Sequence, residues 1–250
     1  MDIKAYLTRI NYTGSLEPSA ESLKGLQTAH LLTVPFENLS IHAGQPIILE
    51  NGALFDKIVR QRRGGFCYEL NGLFAALLRA LGFNVEMLSA QVAKEEGGFG
   101  PDFDHMTLMV TLEQRWLTDV GFGDAFREPL LLDERDVQAQ GSRAYQLIED
   151  GEHLVLRERR VGKQWLPQFR FDLQARSYGD YEDMCRYQQT SPQSHFTQKS
   201  ICSRATPDGR VTLEENSLIT TVNDRERRKL AVTSKEEYIS LLHEYFGIDI

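Results

Sequence analysis

Apolar residues in the first third of the chain recur at helical spacing. Leu54, Phe55, Ile58 and Val59 fall at i, i+1, i+4 and i+5, one face of a helix. Leu70, Leu73, Phe74, Leu77 and Leu81 make a longer stripe, and Gly82 is placed to end it. Ahead of these helices, Pro35 disfavours a helical Val34, so residues 34–39 are predicted to be extended. From Phe83 the period falls to two. Met106, Leu108, Val110 and Leu112 share one face of a strand, residues 113–115 turn, and residues 116–120 return. Residues 145–148 and 154–157, joined by a turn at 149–152, repeat the theme, which points to an antiparallel sheet or small barrel. A helix is expected near Tyr178, stopped by Thr190-Ser191-Pro192. A further strand pair flanks Pro207-Asp208-Gly209-Arg210. The last helix starts at Ser234, which forms a capping box with Glu237 and buries Tyr238, Leu241, Leu242 and Tyr245. The mixed-sign runs at 157–160 and 224–229 read as solvated turns.

Composition narrows the class. With 250 residues, 41% hydrophobic and 10% aromatic, the chain has room for one large domain, or two to three smaller ones sharing a core. Its net charge of -8 opposes nucleic acid and anionic membranes, so an anionic cosubstrate needs a local basic patch. No apolar window approaches ~18 residues, and residues 1–6 lack a secretory layout. Three cysteines, Cys67, Cys185 and Cys202, without a Cys-x-x-Cys pair, fit reduced thiols and argue against a disulfide framework or a structural metal. The expectation is a cytoplasmic enzyme with no membrane or nucleic-acid partner.

Gly64-Gly65-Phe66-Cys67 immediately precedes the strongest helix. Two glycines permit a tight entry with unusual dihedrals, and Cys67 in the first turn would meet free N–H groups and a helix dipole that favour a thiolate. The competing reading is a buried, inert cysteine, as expected for Cys185 and Cys202. A base and an orienting acid weigh against inertness at Cys67. His105 opens a strand and Asp119 lies on the returning one, on the same face. A turn of residues 113–115 pairs Leu112 with Trp116 and leaves His105 and Asp119 offset by about four residues, roughly 13 Å, so a bulge, bend or other register must close the gap. On this count Asp124 is a rival orienter.

Val34-Pro35-Phe36-Glu37-Asn38-Leu39, Arg63-Gly64-Gly65-Phe66-Cys67, His105 and Asp119-Val120-Gly121-Phe122-Gly123, in that order and spacing, resemble the arylamine N-acetyltransferases over nearly the whole chain. The resemblance implies an α+β, cysteine-protease-like (transglutaminase-like) core: a helical bundle over residues 1–82, an antiparallel β-barrel over 83–177 and an α/β lid over 178–250. It implies a Cys67–His105–Asp119 triad, with Asp119 preferred to Asp124. It also implies ping-pong transfer of acetyl from acetyl-CoA, through a Cys67 thioester, to arylamines, arylhydrazines or N-hydroxyarylamines, often foreign compounds, with no permanently bound cofactor. Phe36 and Phe122 are the implied aromatic walls, with core packing as the competing reading. Gly121, Tyr187 and Ser194 are the implied CoA contacts, while Gln193 departs from relatives with a hydroxyl there. Arg63 and Glu37 are expected to pair and hold the nucleophile loop. The glycines of Glu96-Gly97-Gly98-Phe99-Gly100-Pro101 lie outside any P-loop or dinucleotide context and read as a flexible loop. The rivals are an amide synthase of the same family using a carrier-bound acyl chain, a hydrolase or transglutaminase-like enzyme with the same triad, and a binding protein without turnover.

Overall fold

The structure is a computed structural model that describes residues 1–223 and 226–249. Helices α1 (Ile3–Arg9) and α2 (Ala20–Thr33) lead to a two-residue strand β1 (Phe36–Glu37) and short helices α3 (Leu39–His42) and α4 (Asn51–Phe55). The last runs into one π-helical turn, Asp56–Arg60, before α5 (Cys67–Ala80). Nine of the residues on α5 from Leu70 to Leu78 include only one that is not buried, Ala76, so this is the central helix of the core.

An eight-stranded antiparallel sheet follows: β2 (Asn84–Val92), β3 (His105–Thr111), β4 (Arg115–Thr118), β5 (Leu130–Leu131), β6 (Gln138–Gln140), β7 (Arg143–Asp150), β8 (His153–Arg160) and β9 (Leu166–Arg176). Its spatial order is β5-β4-β3-β2-β9-β8-β7-β6, a nearly closed barrel. After a 3-10 turn at Tyr178–Tyr181 come α6 (Glu182–Thr190), α7 (His195–Gln198) and a meander of β10 (Ile201–Thr206), β11 (Gly209–Glu214), β12 (Ser217–Val222) and β13 (Glu226–Ala231), closed by α8 (Lys235–Phe246). β1 joins the free edge of β10, so the second sheet contains a strand from the beginning of the chain.

The core has three parts. One packs α5 against α1, α2, β2, β3 and α6. The second fills the barrel around Leu88, Tyr145 and Phe169. The third lies under α8. No helix among the described residues is long and apolar enough to cross a membrane.

Several local expectations need correction. The run at 157–160 is part of β8, not a turn: Glu158 is buried and bonded to Arg160, so alternating burial was masked by a neutralised charge. In the other run, residues 224 and 225 lie outside the described residues, while Arg227, Arg228 and Lys229 are exposed on edge strand β13. Ser234 caps α8 by accepting from Glu237 N–H, but the Glu237 carboxylate bonds Thr233 rather than Ser234, so only half of a capping box forms. Gly97 and Gly98 adopt left-handed backbone at the tip of a turn closed by Lys94 and Gly98.

Candidate active site

The approach to Cys67 is held from three sides. The π turn sends a main-chain bond from Gln61 N–H to the Asp56 carbonyl. Arg9, buried, ties this turn to the segments around it: its guanidinium donates to the carbonyls of Ile58, Thr33, Arg62 and Arg63 at 2.9–3.2 Å. Next, Glu37, fully buried, accepts from Arg63 at 2.9–3.0 Å and from the N–H groups of Gly64 and Leu39. The expected Arg63–Glu37 pair is present. Lys57 then bonds Glu69 at 2.7 Å, and Glu69 accepts from Phe66 N–H, capping α5. Burial raises the Glu69 carboxyl, with Lys57 opposing.

The two glycines serve proximity, not unusual dihedrals. Neither has a positive φ. A Cβ on Gly64 would stand 2.0 Å from the Pro35 carbonyl oxygen, and one on Gly65 would strike Glu69. The parallel bridge between Phe36 and Gly65 brings the chains that close.

Cys67 is the first residue of α5 and is buried. Its thiol accepts a backbone hydrogen bond from Met106 N–H, the residue after His105. Burial pushes the thiol well above its ordinary range. The Met106 bond opposes this, while Asp104 and Asp119 add to it. The helix N-terminus alone therefore does not produce a thiolate here; desolvation outweighs the dipole, and the charged form needs a cation beside it.

His105 and Asp119 meet directly: Nε2 lies 2.6 Å from Asp119 Oδ2, and both are buried. The hairpin register explains how. Thr111 pairs with Arg115 and Leu108 with Thr118, so the turn is residues 112–114, not 113–115. Shifting the turn by one residue halves the offset to two residues, a diagonal relation within side-chain reach. Asp119 is fixed further by Asn71, which donates to its Oδ1 at 2.9 Å and to the Met106 carbonyl at 2.6 Å, and accepts from Val120 N–H at 2.8 Å. Gly121 N–H also donates to Oδ1, and Gln27 accepts from Asp119 N–H. Asn71 sits one turn after Cys67 on α5, so their i, i+4 spacing is the sequence signal that places both on one helix face. Asp124, the rival, faces three arginines instead.

Phe122 packs edge-on against His105, with ring centroids 5.1 Å apart, and both rings contact Phe169. Phe36 lies by Gly123 and Phe196. Phe169 and Phe196 carried no local signal. A Cβ on Gly121 would press within 2.8 Å of Cys67 Cα, so this residue must be glycine for the 119–121 segment to lie on Cys67. Tyr187 is exposed on α6. Ser194 is buried, its hydroxyl bonded to Gln188, which in turn donates to Asp104. Beside Phe36 opens a cleft of about 480 Å³ that also touches His195, Phe196, Lys199 and Lys229 on one hand and Glu214 and Glu215 on the other. Among the described residues no cluster of metal-ligating side chains forms.

Comparison with known proteins then decides the family. The N-acetyltransferase family model matches residues 19–250. The chain belongs to the arylamine N-acetyltransferase family. It is 38% identical over 231 residues to a pineal gland arylamine N-acetyltransferase isozyme of Gallus gallus, covering 84% of this chain and 79% of that one. The structure is similar to the arylamine N-acetyltransferase of Salmonella typhimurium, with a TM-score of 0.92 and 32% identity over 98% and 90% of the two chains. It is similar also to the Mycobacterium marinum enzyme in complex with CoA, at a TM-score of 0.91 and 32% identity over 99% and 93%. Family membership fits the mixed helix-and-barrel architecture described above.

Proposed function

We propose that this arylamine N-acetyltransferase family member transfers acetyl from acetyl-CoA to aromatic amines, hydrazines or N-hydroxyarylamines by a ping-pong route through Cys67. The observation that carries the reading is the convergence of Cys67, the His105–Asp119 pair and Gly121 on one spot. With Nε2 bound to Asp119, Nδ1 is the ring nitrogen left to take the thiol proton. Proton transfer creates a thiolate–imidazolium pair, which offsets the burial that holds the lone thiol neutral. The thiolate adds to the thioester carbonyl, the carbon–sulfur bond to CoA breaks, and His105 returns the proton to the departing CoA sulfur. An amine nitrogen then attacks acetyl-Cys67. The new carbon–nitrogen bond forms as the Cys67 bond breaks, and His105 relays the amine proton to the thiolate.

Phe36 and Phe122 supply flat apolar walls for the aromatic acceptor. The cleft beside Phe36 brings Lys199, Lys229 and His195 near a site whose molecule is otherwise negative, which suits an anionic cosubstrate in spite of Glu214 and Glu215. Exposed Tyr187 is available to CoA. Ser194 contributes by holding Gln188, because its hydroxyl is already engaged. The three segments 1–82, 83–177 and 178–250 are read as functional layers: nucleophile, base with acid, and cover.

The test is acetyl-CoA-dependent acetylation of a panel holding an arylamine, an arylhydrazine and an alkylamine, with wild type and Cys67→Ala in parallel. Turnover of the aromatic acceptors that disappears in Cys67→Ala is expected. Wild type that is inert toward the whole panel, with a reactive Cys67, would overturn the assignment and turn attention to carrier-bound acyl donors.

A further inference from the structure

The proposed chemistry leaves one carboxylate of the site loop without a role. Asp124, two residues past Phe122, meets Arg143 Nη1 at 2.8 Å and Arg210 Nε at 3.1 Å through Oδ1, and Arg160 Nη2 at 3.0 Å through Oδ2. Glu158 shares Arg160 at 2.7 Å and Arg143 at 3.6 Å. Among the described residues the cluster gathers three cations and two carboxylates. Burial works against the Asp124 charge, but Arg210, then Arg143 and Arg160, overcome it and hold the carboxyl well below the usual range.

These arginines belong to different sheets. Arg143 and Arg160 lie on β7 and β8 of the barrel, whereas Arg210 lies on β11 of the second sheet. Asp124 therefore joins the sheets at the loop that carries Phe122. The link continues through Arg210 Nη1, which donates to Ser203 Oγ at 2.9 Å. Ser203 is the β10 residue paired with Phe36. One end of this relay holds the Phe36 wall and the other, through Gly123, holds the Phe122 wall. Arg127 of the same segment adds a second tie, donating to the carbonyls of Pro207 and Gly209 in the β10–β11 turn.

We propose that Asp124 and Arg210 are positioning residues that set the spacing between Phe36 and Phe122, and through it the size of aromatic acceptor accepted; this rests on the acceptor reading given above. Removing the Asp124 charge takes away the carboxylate that Arg210 shares with Arg143 and Arg160. Arg210 then loses its ion pair to the barrel loop, and the second sheet, with β1 and Phe36, is held less closely to that loop. The nucleophile is held by other contacts, those of Asn71, Gln27, Glu37 and Arg63, so its reactivity stays.

The experiment measures kcat and KM for a monocyclic and a fused bicyclic arylamine, and the rate of Cys67 alkylation by iodoacetamide, in wild type, Asp124→Asn, Asp124→Glu and Arg210→Lys. Asp124→Asn is expected to raise KM for the monocyclic amine by roughly tenfold and for the bicyclic one by much less, so that the ranking shifts. Alkylation and kcat should change by less than about twofold. Asp124→Glu, which keeps the charge, should recover part of the loss. Arg210→Lys keeps its charge but cannot span both Asp124 and Ser203, so it should shift the ranking too and carries the test if Asp124→Asn fails to fold. An unshifted ranking, or a parallel fall in kcat and alkylation, overturns the clamp. Wild type that acetylates neither amine overturns the acetyltransferase reading, and the clamp with it.

Discussion

Asn71 is fully buried and makes three hydrogen bonds with the segments that flank the candidate base and acid. Replacing it with alanine leaves the Met106 carbonyl and Val120 N–H without this partner, each worth about 1–3 kcal/mol when left unsatisfied in the core. It also leaves Asp119 Oδ1 with Gly121 N–H alone. Asn71→Ala should therefore lower the melting temperature and slow Cys67 alkylation at neutral pH by at least about tenfold. The pH profile of alkylation should move upward, because a less well-oriented His105 stabilises the thiolate less against burial. An unchanged profile in a folded variant would count against an orienting role for Asn71. The residues of the His105–Asp119 pair were legible because their types, order and strand parity are sequence properties. Their contact was not, since a one-residue shift of the turn changes the offset by two residues. Asp124 was legible as a carboxylate but not as an inter-sheet ion, because its partners lie 19, 36 and 86 residues away.

At the scale of elements, the loop entering α5 depends on tight approach between β1 and Gly64-Gly65. Gly64→Ala would place a methyl group on the Pro35 carbonyl, a backbone atom that cannot step aside cheaply. The expected outcome is destabilisation of more than about 3 kcal/mol in denaturant titration, with loss of selective Cys67 reactivity. Near-native stability would mean that the β1 approach is looser than described. Apolar periodicity located α5 and the barrel strands well, since each buries one regular face. It missed the π turn, whose Ile58 carbonyl is bonded by Arg9 from another helix. The two-residue β1 escaped for the same reason: its extended backbone was readable from Pro35, but its partner β10 lies far along the chain.

Across the whole molecule, both sheets and the central helix contribute to one candidate site. α5 brings Cys67, the β3–β4 hairpin brings His105 and Asp119, and the second sheet holds Phe36 through β10. The net charge of -8 was readable at once, but the placement of Lys199 and Lys229 in the cleft beside Phe36 depends on tertiary packing. Fold and family followed from spaced motifs, while the contacts that tune the site come from residues distant in sequence. The central claim is that Cys67 carries the acyl group before any amine binds. Its most direct test is rapid-quench peptide mass spectrometry of the protein mixed with acetyl-CoA alone. An acetyl group on Cys67, discharged on adding an arylamine, is the predicted result. Acetyl on Cys185 or Cys202, or no adduct until the amine is present, would contradict it.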